Sequence, residues 1–205
     1  MLTTLWRQTA TGLRVLIALT ILCGIIYPLV VYGVGHIPGL AANAEGSIIY
    51  GANGTPVGSS LIGVDPVPTD AAADPYFHTR PSASSSDPLG PGDTTTSGGS
   101  NKSGFNQDLL DTINQRRELI AQREGVNPAL VPPDAVTASA SGLDPDISPA
   151  YAELQVARVA RVTGLSQDEV RNLVSEASSG RVLGFLGEPT VNVTELNLAV
   201  QGARH

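Results

Sequence analysis

Apolar and polar positions divide this chain into two unlike parts. From Val15 to Gly35, 21 residues run without a charge, and twelve of them are Leu, Ile or Val. A helix of that length reaches about 31 Å, close to the hydrocarbon thickness of a bilayer. Summed insertion energies of about −4 to −7 kcal/mol outweigh the glycines and Pro28. The run exceeds the usual signal-peptide core, and its nearest small-residue cleavage site, Ala41-Ala42-Asn43-Ala44, lies beyond a stretch already long enough to span. The expectation is a transmembrane helix over 15–35, kinked where Pro28 removes a hydrogen bond. Arg7 and Arg14 precede it, and no Lys or Arg follows until Arg80. The positive-inside bias therefore puts residues 1–14 in the cytoplasm and 36–205 outside the cell.

Beyond the span the pattern changes character. Two short apolar runs, 47–50 and 56–62, flank Gly51-Ala52-Asn53-Gly54, and Asn-Gly predicts a β-hairpin because both residues tolerate positive φ. Residues 64–104 show no periodicity and are dominated by Pro, Ser, Gly, Asp and Thr, with 84–96 reading as flexible linker. A helix is expected over 106–124, capped by Asn106 and stopped by Gly125. Leu109, Leu110, Ile113 and Ile120 form its apolar side, and Asp111, Arg116, Arg117, Glu118 and Arg123 its polar face. Pro128, Pro132 and Pro133 argue against regular structure after it. Ser148-Pro149 opens a helix burying Ala152, Val156, Val159 and Ala160 up to Gly164. A capping box, Ser166 to Glu169, opens the next, whose inward face is Val170, Leu173, Val174 and Ala177 and whose stop is Gly180. A short strand at 191–193 and a turn or helix at 196–200 complete an α+β fold: one N-terminal membrane helix followed by a single mixed exterior domain.

Composition refines this picture. All but Arg7 and Arg14 of the 12 basic residues, and all 19 acids, lie in 36–205, a net of −9. Such a surface argues against nucleic acid or anionic lipid as partner. The only Cys, Cys23, lies inside the span, so the exterior part has no disulfide. His36, His78 and His205 are too scattered for a zinc site, and no metal site is expected.

Catalytic motifs are missing: there is no Gly-x-Ser-x-Gly elbow and no phosphate loop around the single lysine, Lys102. Gly98-Gly99-Ser100-Asn101 is a weak candidate for an anion-binding backbone nest. Asp144 and Asp146 are a weak candidate acid/base or cation pair, more simply read as turn residues before a helix. The triplets at Asn53, Asn101 and Asn192 read as turn chemistry rather than glycan sites. No catalytic residue and no cofactor-binding residue emerges from the residues themselves.

Six segments in order nevertheless resemble the C subunit of the bacterial Kdp potassium-transporting ATPase. They are Gly58–Gly63, Tyr76–Ala83, Ser97–Asn101, Val136–Ser148, Gln155–Ala160, and Gly187–Val193 with Leu196-Asn197. Departures from the family pattern are Val64, Lys102, Thr194 and the acidic, proline-rich insert before Tyr76. The resemblance implies a non-catalytic accessory subunit of a potassium uptake complex. Its partners would be a channel-like potassium-binding subunit, a P-type ATPase subunit and a small single-span subunit. The family is described as raising the pump subunit's ATP affinity, yet an exterior domain has no access to cytoplasmic ATP. A structural role over the channel entrance, with the acidic surface enriching local potassium, fits this topology better. The alternative from a different class is a free-standing, membrane-anchored binding or hydrolase domain.

Overall fold

A computed structural model describes residues 1–51 and 53–204, so Ala52 of the expected hairpin turn and His205 lie outside the described residues. The chain forms two compact units, Met1–Ser47 and Ile48–His205.

In the first unit helix α1 (Leu2–Ile21) passes through a π-helical turn, Leu22–Ile26, into α2 (Tyr27–Gly35). The continuous run of 34 residues is long and apolar enough to cross a membrane. Helix therefore begins well before Val15. The π turn sits where Pro28 requires it: its ring would meet the carbonyl of Gly24, and widening the helix relieves that clash. The short α3 (Ala41–Ala44) follows.

The second unit opens with the expected hairpin, β1 (Ile48–Tyr50) against β2 (Pro56–Ser59), antiparallel with an irregularity between Ile49 and Tyr50. Asn53 accepts hydrogen bonds from the Thr55 amide and hydroxyl, which is turn chemistry. A 3₁₀ turn at Ala71–Ala73 precedes α4 (Gln107–Glu124), which Asn106 caps and left-handed Gly125 ends as anticipated. The prolines do not exclude helix after it. Pro128 and Pro133 occupy first-turn positions of a 3₁₀ turn, Pro128–Leu130, and of α5 (Pro133–Val136), where a missing N–H costs nothing, and extended Pro132 is the N-cap of α5.

Next come β3 (Asp146–Ile147), α6 (Pro149–Thr163), α7 (Gln167–Glu176), β4 (Ser178–Ser179), β5 (Thr190–Asn192) and α8 (Val193–Ala203). The capping box of α7 is formed. That helix stops at Glu176 rather than Gly180, because Ser178 and Ser179 pair with Val191 and Thr190. The strands order as β3-β5-β4, all antiparallel. Asn192 caps α8, which starts at once from Val193.

The core gathers Ile120 of α4, Tyr151, Val156 and Val159 of α6, Val170 of α7, Val191 of β5 and Leu196 of α8 around Phe77, which belongs to no helix or strand. One expected polar position is internal. Arg116 is buried and donates to the carbonyls of Pro88 and Val136. The segment expected to be a linker is thereby held to α4, with Leu89 packed against the core. Conversely Leu110, expected on the apolar side, is exposed.

Candidate functional site

The region around Phe77 explains how a stretch without periodicity reaches the centre of the domain. Its backbone has no strand partner, and side-chain amides replace one. Asn197 of α8 accepts from the Phe77 N–H at 2.7 Å and donates to its carbonyl at 2.8 Å. Gln155 of α6, fully buried, does the same for His78 at 2.8 and 3.3 Å. A primary amide presents the donor and acceptor of a peptide unit, so each forms the two-bond bracket of a β-ladder. Further along, Pro81 accepts from the Ser139 N–H at 2.9 Å. Arg80 reaches Asp144 at 3.1 Å and the Ala138 carbonyl at 3.2 Å. Three segments that are distant in sequence thus meet on one extended stretch of backbone.

Beneath it lies a chain of charges. The His78 ring sits between two carboxylates, Nδ1 2.8 Å from Asp65 and Nε2 2.6 Å from Asp74. Asp74 also faces Arg158 at 3.1 Å. Arg158, only 3% exposed, donates from Nε to Glu124 at 3.0 Å, to the carbonyls of Asp74 and Tyr76, and to Gln155. Glu124, whose side chain is fully buried, binds Arg123 at 2.7 Å, and Arg123 donates to the Tyr151 hydroxyl at 3.0 Å. Three carboxylates are matched by two guanidiniums and an imidazole, so every buried charge has an internal partner. Both His78 nitrogens are engaged, which leaves none for a metal or a substrate proton. The cluster is chemically a fastener tying residues 65–78 to α4 and α6.

Its electrostatics follow. Burial, the largest influence on Asp74, would raise its pKa. The His78 hydrogen bond, the charges of His78 and Arg158 and the Tyr76 N–H together hold it below the ordinary 3.8. Burial pushes the Tyr151 hydroxyl up, against the opposing effect of Arg123. A carboxylate with a depressed folded pKa stabilises the fold above its unfolded value and loses that contribution as pH falls through the folded one. The urea midpoint is therefore expected to drop as pH falls below about 4, and Asp74→Asn to flatten that part of the profile. Exposed Asp93, drawn to about 2 by the hydroxyls of Thr96 and Thr95 and the Thr95 amide, titrates in the same range and remains in the variant.

The cluster floors a cleft of about 650 Å³ between residues 65–72, the Pro88–Pro91 turn and Leu119, Gln122 and Arg123 of α4. One wall is the acidic, proline-rich insert. Its carboxylates Asp65 and Asp74 are spent internally, as is Glu124. The acidic surface is to that extent smaller than composition implies.

The weaker candidates resolve into packing. The Gly98 N–H donates to the Ser141 carbonyl at 2.7 Å, and a Cβ on Gly99 would lie 2.9 Å from the Ala140 carbonyl oxygen, so the glycines serve close backbone approach. Asp144 pairs with Arg80, while burial and the Asp144 charge raise Asp146, with an Asn192 hydrogen bond opposing. Asn192 also donates to the Ser60 carbonyl, and Asn101 adopts φ 52°. The departures find places too. Thr194 donates to the Ile62 carbonyl, Lys102 lies 3.8 Å from Asp108, and Val64 lines a small recess with Tyr76 and Leu198. Arg158, Glu124, Gln155 and Asn197 were not readable as a site: two sit in amphipathic helices as ordinary charges and two as ordinary amides. The available signal was the set of family-matching segments, which hold His78 in Tyr76–Ala83, Gln155 and Arg158 in Gln155–Ala160, and Asn197 beside Leu196.

A family model described as "K+-transporting ATPase, c chain" matches residues 9–202. A potassium-transporting ATPase KdpC subunit of Kineococcus radiotolerans is 47% identical over 203 residues, covering 98% of this chain and 97% of that protein. The KdpC subunit of Koribacter versatilis is 42% identical, covering 97% of this chain and 96% of its own length. That of Streptomyces coelicolor is also 42% identical, covering 97% and 94%. At this identity, sustained from the apolar helix through the bracketed strand to α8, the chain belongs to the KdpC family of potassium-transporting ATPase c chains.

Proposed function

We propose that this chain is a non-catalytic accessory subunit of an ATP-driven potassium uptake complex. Its N-terminal helix crosses the membrane and residues 36–205 lie outside the cell. The observation that carries the reading is the end-to-end similarity to KdpC subunits, which leaves a free-standing exterior domain disfavoured. Two features support it further. Arg7 and Arg14 are the only Lys or Arg residues before Arg80, which favours a cytoplasmic N-terminus. The charged cluster consumes its own partners and offers rigidity rather than chemistry, as suits a domain that holds other subunits. Those partners are a channel-like potassium-binding subunit, a P-type ATPase subunit and a small single-span subunit. On this topology the domain does not touch cytoplasmic ATP. Its remaining surface acids act only on ions within about 8 Å, the screening length at physiological salt.

An affinity tag at the C-terminus, used in potassium-starved cells, is expected to bring down a channel-like and a P-type subunit with potassium-stimulated ATPase activity. Deleting the chain should abolish that activity. Elution of the chain alone, with potassium uptake intact after deletion, would overturn the reading. Ser47→Cys should react with an impermeant thiol reagent in intact cells; protection until the cells are opened would reverse the orientation.

A further inference from the structure

Between β4 and β5 the chain makes a small finger, Arg181 to Glu188. Val182 and Leu186 bridge each other through both backbone hydrogen bonds, at 2.9 and 3.0 Å. Arg181 and Glu188 close its base as an ion pair at 2.5 Å. Everything between them is apolar or glycine, and it faces outward: Leu183 is 81% exposed, Phe185 67% and Val182 66%. Monomeric domains seldom show a concentrated apolar patch without a partner for it.

The backbone sharpens the point. Leu183 and Gly184 have φ of 54° and 82°, the positive pair of a mirror-image hairpin turn. Asn, Asp or Gly ordinarily fill such a first position, because an apolar side chain there is strained and gains nothing from water. Here a leucine is held in the left-handed region with its side chain in solvent. Strain kept at an exposed apolar tip points to a contact outside the domain.

The charge around the finger selects the partner. Its only cation, Arg181, is spent on Glu188, and residues 36–205 carry a net of −9. An interfacial membrane anchor combines apolar side chains with free Lys or Arg for anionic lipid, and this finger has none. We propose that residues 182–186 insert into an apolar pocket, neutral or basic at its rim, on the exterior face of another subunit of the transporter. This rests on the accessory-subunit reading above and adds to it which part of the domain docks.

Photo-crosslinking on the full complex in cells decides it. With Phe185→p-benzoylphenylalanine, illumination should yield one product joining this chain to a co-purifying transporter subunit. In parallel, Leu183→Asn with Phe185→Ser keeps the turn, since Asn tolerates positive φ, and removes the apolar tip. Recovery of partner subunits with the tagged variant should fall about tenfold or more, with the unfolding midpoint unchanged. A crosslink to lipid alone, or none, with wild-type recovery in the double variant, would overturn the docking site while leaving the subunit reading intact. A wild-type chain that brings down no subunit would instead remove the accessory-subunit reading, and the finger's partner with it.

Discussion

Arg158→Met should destabilise the Ile48–His205 unit by about 3–5 kcal/mol, the usual cost of stripping one partner from a buried charge network. Methionine fills much of the arginine stem volume, so the loss isolates the guanidinium. That group carries contacts to Glu124, Asp74, Gln155 and two backbone carbonyls. Without it Glu124, wholly internal, keeps only Arg123, and Asp74 keeps only His78 and the Tyr76 N–H. Arg171 supplies the contrast. It also makes two ion pairs, with Glu153 and Asp168, but on the surface. Arg171→Met should leave the unfolding midpoint close to wild type, because exposed ion pairs contribute little. Urea unfolding of the detergent-solubilised chain, followed by circular dichroism in the 222 nm helical band, measures both. If Arg158→Met moved the midpoint no more than Arg171→Met, the cluster would not be the fastener described here.

Gln155→Leu is expected to cost about 2–4 kcal/mol, by a different route. Leucine matches the volume, so no cavity opens. The His78 N–H and carbonyl lose both partners at a site without solvent access, and each unpaired buried group costs about 1–3 kcal/mol. The Arg158 contact at 3.1 Å goes as well. Hydrogen exchange distinguishes this from general loosening: the His78 amide should lose protection far more than amides within α7. The Gln155→Leu and Arg158→Met effects should sum to more than the double variant shows, because the two side chains share one network. Strict additivity would mean the bracket and the charge cluster are separate devices.

These variants probe the part of the molecule that was least legible beforehand. The apolar helix, α4 with its Asn106 cap, α6 from Ser148, the capping box of α7 and the first hairpin all follow from their own residues. Each signal is local. A cap spans three residues, a helical stripe repeats every three or four, and an Asn-Gly turn closes on itself. The same locality sets the termini of α6 at Ser148 and left-handed Gly164.

Tertiary structure decided the rest. Residues 64–104 read as loop because they lack periodicity. They are ordered because Asn197, 120 residues from Phe77, and Gln155, 77 residues from His78, complete their backbone hydrogen bonds. No window of local sequence contains that pairing. Arg116 and Arg158 occupy helical positions that pattern alone assigns to solvent. They are internal because carbonyls and carboxylates from other segments replace their water. The end of α7 at Glu176 likewise depends on β5 being there to pair with Ser178. The sequence by itself determined the long apolar helix, the main helices, the first hairpin and the family, since these rest on interactions between near neighbours or on ordered motifs. Which charges are buried, which proline-rich stretch becomes core and which apolar residues remain outside depended on contacts across the chain, where the cost of an unpaired polar group is met only once the partners have folded together.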